Sequence, residues 1–152
     1  MATKQRMLKL SLFARRKSHL SEDEFQRYWS ETHRALATEW LVKYGIVKYT
    51  QYHTPSHLLP SALAGFPALG SAKKLDFDAV GEFLMPDLSC FQRAREDPYY
   101  AEVIAPDEQR LFDWTSVEWT VGWEEVYIKD GRVVDMPLGD VEVVESNSKS
   151  GS

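Results

Sequence analysis

Leu8, Leu10 and Leu12 alternate with Lys9, Ser11 and Phe13, and this period of two predicts a strand over residues 7–14 with the leucines on one face. The period then changes. Ser21 is a good N-cap, and Glu24 three residues later completes a capping box. The helix it opens is predicted to run to about Tyr44, with Gly45 as its stop. Its apolar stripe reads Phe25, Trp29, Leu36 and Trp40, and His33 falls inside that stripe. A side chain that titrates near neutral pH is thereby aimed inward among aromatic rings. Such a placement suits either a core histidine with a satisfied hydrogen bond or an acid/base group in an apolar pocket.

Residues 46–54 predict a second strand in which Val47, Tyr49, Gln51 and His53 share a face. The stretch 55–75, rich in Pro, Gly, Ala and Ser, is long for a connection in a compact domain and reads as a lid or as irregular chain with a short helix. A third strand is expected over 77–85. A second helix follows, opened by Pro86, carrying Leu88, Phe91, Ala94 and Arg95, and ending before Pro98. Residues 99–114 predict a short helix and a turn. A fourth strand is expected over 116–129 with Val117, Trp119, Val121 and Trp123 on one face, then a hairpin turn at Asp130-Gly131 and a short return strand. The order β-α-β-β-α-β is the split βαβ, or ferredoxin-like, α+β arrangement. Two helices cover one sheet face, and the fourth strand offers apolar residues to the bare one, so the pattern predicts a homodimer with closed symmetry. A monomer with a polar outer face is the alternative.

At 152 residues the chain is most simply one domain, expected over 1–140, with a polar low-complexity tail over 141–152 expected to be disordered. A net charge of −5 argues against a nucleic-acid partner. The single Cys90 forbids an intrachain disulfide and fits a reducing compartment; with no long apolar run and no signal-peptide core, a cytoplasmic protein away from the membrane is the expectation. No Gly-rich phosphate loop and no metal triad can be read, so no cofactor is expected. Five Trp, seven Tyr and seven Phe either fill a core or line a pocket for a flat ligand.

Two motifs carry a family resemblance. Phe25, Tyr28, Trp29 and His33, after a strand and the cap Leu20-Ser21-Glu22-Asp23-Glu24, resemble the first helix of EthD-domain proteins. Tyr99-Tyr100 through Ala105-Pro106-Asp107-Glu108 to Phe112-Asp113 resembles that family's late segment, where an Asp-Glu pair precedes Phe and Asp. The similarity spans about Met7 to Val134. It implies a dimeric α+β barrel. It also implies the fungal branch of the family, whose members tailor aromatic polyketides without a cofactor as decarboxylases, dehydratases or cyclases.

In that light His33 is the candidate catalytic acid/base, flanked by Phe25, Trp29 and Trp40. Asp107 is the candidate carboxylate partner, which would fix the imidazole's tautomer. The plainer alternatives are a histidine bonding a backbone carbonyl and an Asp107 that merely caps a short helix. Tyr28 at the pocket edge and the polar column Tyr49, Gln51, His53 are candidate substrate contacts. Glu82 is either on a solvated face or a partner for a pocket histidine. A cofactor-free oxygenase and a ligand-binding accessory protein are the competing functions.

Overall fold

The computed structural model describes residues 2–4, 6–134 and 142–144. Its centre is a four-stranded antiparallel sheet of β2 (Leu8–Arg16), β3 (Lys48–His53), β4 (Ala79–Met85) and β5 (Phe112–Gly122) in the order β3-β4-β2-β5. The helices are α1 (Glu22–Tyr28) and α2 (Arg34–Lys43) after β2, and α4 (Ser89–Glu96) and α5 (Ala105–Leu111) after β4. This is the ferredoxin-like α+β fold expected from the hydrophobic pattern.

Ser21 caps α1, its Oγ accepting from the Glu24 N–H at 3.1 Å, and Gly45 ends α2 with φ of 92°. Between α1 and α2 the chain does not stay α-helical. Trp29–His33 forms a wider π turn, in which the Arg34 N–H reaches back to the Trp29 carbonyl. Phe25, Trp29 and His33 are buried, and beyond the turn the stripe continues through Trp40 as expected, with Ala37 and Leu41 also buried and Leu36 half-buried against the same core. A second π turn, Tyr100–Ile104, precedes α5. Pro106 lies in the first turn of α5 and has no N–H to give, so a regular ladder could not have run through it.

Register decides what each sheet face carries. Leu12 stands opposite Gly81 and Trp119, and Leu10 opposite Phe83 and Val121. Leu8, Leu10 and Leu12 pack on the core of Trp40, Leu41, Ile46, Phe83, Met85 and Ile104 beneath the helices. Trp119 and Val121 therefore share the helix-bearing face, not the bare one as the strand pattern suggested. They lie on the edge strand beyond the helices' cover and stay exposed. The opposite face carries Lys9, which bridges Glu82 at 2.5 Å and Glu124 at 3.0 Å. Glu82 is thus part of an ion network on that face and not a partner for the pocket histidine.

Three further boundaries differ from expectation. Ser89, not Pro86, opens α4, because the Asp87 carboxylate takes the Ser89 N–H at 2.7 Å and turns the chain first. The fourth strand starts earlier, at Phe112, and stops at Gly122; a bulge between Phe13 and Arg15 of β2 lets the early part pair. The expected hairpin is a separate pair, β6 (Ile128–Lys129) with β7 (Arg132–Val133). The connection over 55–75 contains α3 (Leu59–Gly65) between two 3-10 turns, and it roofs Phe13, Tyr52 and Val80 over a cavity of about 480 Å³. Within the segment expected to be an unstructured tail, β8 (Glu142–Val144) pairs with β1 (Ala2–Lys4); residues 145–152 lie outside the described residues.

Candidate active site

Burial forces the polar groups of the first helix to find partners, and His33 finds one across the fold. It ends the first π turn and is 6% exposed; Asp107, in the first turn of α5, is 2% exposed. His33 Nδ1 lies 2.7 Å from Asp107 Oδ2. Tyr28 donates its hydroxyl to the other oxygen, Oδ1. That bond, and then burial, hold the Tyr28 phenol above its ordinary pKa. Asp107 therefore does not cap its helix: both oxygens are turned to side chains of the first helical segment. A carboxylate only accepts, so Nδ1 carries a proton, and in the neutral imidazole Nε2 keeps the lone pair. This is the arrangement that fixes a histidine's tautomer for proton transfer.

His33 also lines a cavity of about 80 Å³ between helices and sheet, small beside the roughly 300–1,000 Å³ usual for ligand pockets. Its floor is Leu12, Ala14, Tyr49, Ala79, Gly81 and Phe83. Trp29, His33, Glu108 and Phe112 line it as well, with Trp114 and Val117 from β5. Gly81 leaves open the space a side chain would take, since a Cβ there would already come within 3.3 Å of the Phe83 ring. Such a space encloses one reacting ring, not an extended chain.

Tyr49 is oriented from behind. The Gln51 amide donates to its hydroxyl oxygen at 3.0 Å and to the Trp29 carbonyl at 2.9 Å, and the Trp29 indole bonds the same hydroxyl. With its oxygen accepting, the Tyr49 O–H is the proton left to give to a bound molecule. Burial raises its pKa, so it remains protonated.

Glu108 was missed as a site residue, although it stands in the same Asp-Glu pair as Asp107. It is partly buried and accepts from the Tyr100 hydroxyl at 3.2 Å. Burial pushes its carboxyl up to about 7, against the pull of the Tyr100 hydrogen bond and the Arg95 charge, with Asp107 adding to the rise.

The other expected contacts divide by place. Trp29 and Tyr49 line the cavity. Tyr28 and Gln51 stand behind it, holding Asp107 and Tyr49. Phe25 packs behind Trp29 at 5.8 Å between ring centres. Trp40 lies in the main core, its indole N–H on the Ala94 carbonyl at 2.8 Å, stacked on Tyr100 and away from His33. His53 packs tilted against Trp29 at 4.6 Å between ring centres but lines the larger cavity under the 55–75 connection; burial lowers its pKa. Among the described residues no three His, Cys, Asp or Glu side chains gather as a metal site, and no helix is long and apolar enough to cross a membrane.

Comparison with known proteins fits this geometry. The family model described as EthD domain matches residues 17–115, a span that contains both motifs and the whole His33–Asp107 pair. The chain is 32% identical over 130 residues to the conidial pigment biosynthesis dehydratase EthD of Metarhizium robertsii, covering 86% of this chain and 91% of that protein. It is 31% identical over 125 residues to the dehydratase aurZ of Gibberella zeae, covering 82% of each. It is 27% identical over 132 residues to the decarboxylase claH of Passalora fulva, covering 86% of this chain and 84% of that protein.

Proposed function

The chain belongs to the EthD-domain family, and from that membership we propose that it is a cofactor-independent lyase tailoring an aromatic polyketide, by dehydration or decarboxylation, with ring closure where the product permits. The observation that carries this reading is the 2.7 Å contact of His33 Nδ1 with Asp107 at the wall of an apolar cavity. The names of the relatives, two dehydratases and a decarboxylase, support the reaction class.

In dehydration, His33 Nε2 removes the proton α to a carbonyl while Tyr49 donates a hydrogen bond to the oxygen that gains charge. In decarboxylation, the electrons released with CO2 settle on the neighbouring carbonyl, and His33, protonated, returns a proton to the carbon. Asp107 supports the imidazolium that forms in dehydration and that gives up its proton in decarboxylation. Phe112, whose ring stands edge-on 6.1 Å from His33, and Trp29 keep water from the reacting atoms. The protein acts in the cytosol as a homodimer, an assembly favoured by Trp119, Val121 and Trp123, all exposed at or just past the edge strand.

Incubation of the pure protein with cyclic β-hydroxy ketones and ortho-hydroxy aromatic acids, followed by mass analysis, tests the proposal. Loss of water or of CO2 is expected, and His33→Ala should slow it by roughly 10²–10⁴-fold while fold and ligand affinity persist. Gain of oxygen would assign an oxygenase. Binding without any mass change, indifferent to His33→Ala, would assign an accessory protein.

A further inference from the structure

Dehydration of a β-hydroxy ketone needs two proton transfers, one from carbon and one to the departing oxygen. Decarboxylation needs only a proton donor at carbon. The cavity holds groups for both. His33 offers the Nε2 lone pair, because Nδ1 is committed to Asp107. Glu108 lines the same cavity from α5. Consecutive residues of one helix turn their side chains apart, and so Asp107 serves His33 from behind while its neighbour faces the cavity.

We infer that Glu108 is the general acid that protonates the leaving hydroxyl, which makes this chain a dehydratase of cyclic β-hydroxy ketones. The inference rests on the reading of the cavity as a lyase site. The bonds balance as follows. The α C–H bond breaks and its proton goes to His33 Nε2. The electron pair forms the new C=C bond. The C–O bond breaks, and the leaving oxygen takes the Glu108 carboxyl proton to depart as water. His33 is then imidazolium and Glu108 carboxylate, and the proton passes from one to the other across the emptied cavity, restoring both.

The surroundings of Glu108 suit an acid. Tyr100, from the second π turn, donates to its Oε2, which steadies the carboxylate once the proton has left. Arg95 of α4, whose guanidinium stacks 4.6 Å from the Tyr100 ring centre, contributes a positive charge beside it. Asp107 on its own helix opposes ionisation, Tyr49 of β3 lies within its field, and His33 shares the cavity. A carboxyl pushed up to about 7 is protonated in a large fraction of molecules at neutral pH, as an acid working there requires. Among the described residues no Lys or Arg lines the cavity. A substrate carboxylate would enter without a cationic partner and beside Glu108, whereas a neutral hydroxy ketone meets no such penalty.

Two probes separate this inference from the reading beneath it. 1-Tetralone in D2O has α protons but no leaving group, so deuterium uptake reports His33 alone. 3-Hydroxy-1-tetralone loses water to give 1-naphthol, read by its fluorescence. The whole protein is expected to catalyse both. Glu108→Gln should keep deuterium uptake within about threefold and slow naphthol formation by roughly 10²-fold or more. Glu108→Asp should recover part of that loss, which a merely structural role would not predict. His33→Ala should lose both reactions. Naphthol formation at the wild-type rate in Glu108→Gln overturns the acid role, as does uptake by the wild type without elimination. Absence of deuterium uptake in the wild type overturns the lyase reading itself.

Discussion

His33 and Asp107 stand 74 residues apart in the chain and 2.7 Å apart in the fold, each beside a π turn. One turn ends in His33, and the other runs into Ala105, two residues before Asp107. π turns inside helices concentrate at functional sites because one extra residue re-aims the side chains around it. Here the two wide turns bring a histidine and a carboxylate together inside an apolar core, where an unpaired carboxylate would be costly.

That contact predicts the effect of Asp107→Asn. An amide offers either a carbonyl or an NH2 to Nδ1. Turned NH2-first, it imposes the opposite tautomer and places a proton on Nε2, where the reaction needs a lone pair. The expected loss in kcat is roughly 10²–10⁴-fold with little change in KM, by analogy with the oriented histidine of serine proteases. Tyr28→Phe, which leaves the Nδ1 contact in place, should cost only about 10-fold, the lower end of what one hydrogen bond to a charged group is worth. Equal losses in the two variants would show that Asp107 acts through packing and not through the imidazole.

Much of this was legible in the chain. Ser21, Gly45 and the alternation of Leu8, Leu10 and Leu12 each mark a local event with a local cause, and the six elements follow from them. The His33–Asp107 pair was legible through two motifs. The inserted residues were not. A π turn leaves the apolar period legible on either side but re-aims the helix that follows, so Ala37 does not stand out beside Leu36, and Trp40 is expected beside His33 when it packs against Ala94 and Tyr100. The faces of β5 depend on pairing across the β2 bulge, which one strand's alternation cannot reveal. Glu108 was overlooked for a similar reason. Its place at the cavity comes from a helix that opens with Pro106 after a π turn, although its position next to Asp107 was a usable signal.

The exposed tryptophans lead to a prediction about assembly. Trp119 is 65% exposed and Trp123 54%, with Val121 between them at 44%. Large apolar groups gathered on an edge strand favour association. Sedimentation of the pure protein should give twice the chain mass of 17.5 kDa at micromolar concentration. Trp119→Glu should raise the dimer dissociation constant by about 30-fold or more, the loss typical of an aromatic anchor, with the monomer's far-UV spectrum unchanged. A wild-type protein that sediments as a monomer removes the dimer from the proposal and leaves the His33 cavity, built within one chain, untouched.

The raised carboxyl of Glu108 links stability to pH. Its folded value is about 7 against an ordinary 4.5. Between those values the folded state binds more protons than the unfolded one, so unfolding free energy falls as pH rises through this window and levels off above about 7. A shift of that size corresponds to a ceiling of about 3 kcal/mol, which partial solvent access reduces to about 1–2 kcal/mol. Glu108→Gln keeps an acceptor for Tyr100 and cannot ionise. Relative to the wild type, the variant should therefore gain about 1–2 kcal/mol between pH 4.5 and pH 8, whatever fixed offset the substitution carries. Urea midpoints of both proteins at the two pH values measure that difference, in which other titrating groups cancel. A gap between the two proteins that does not move with pH would mean that Glu108 is ionised in the folded state well below pH 7, and an acid role at neutral pH would go with it.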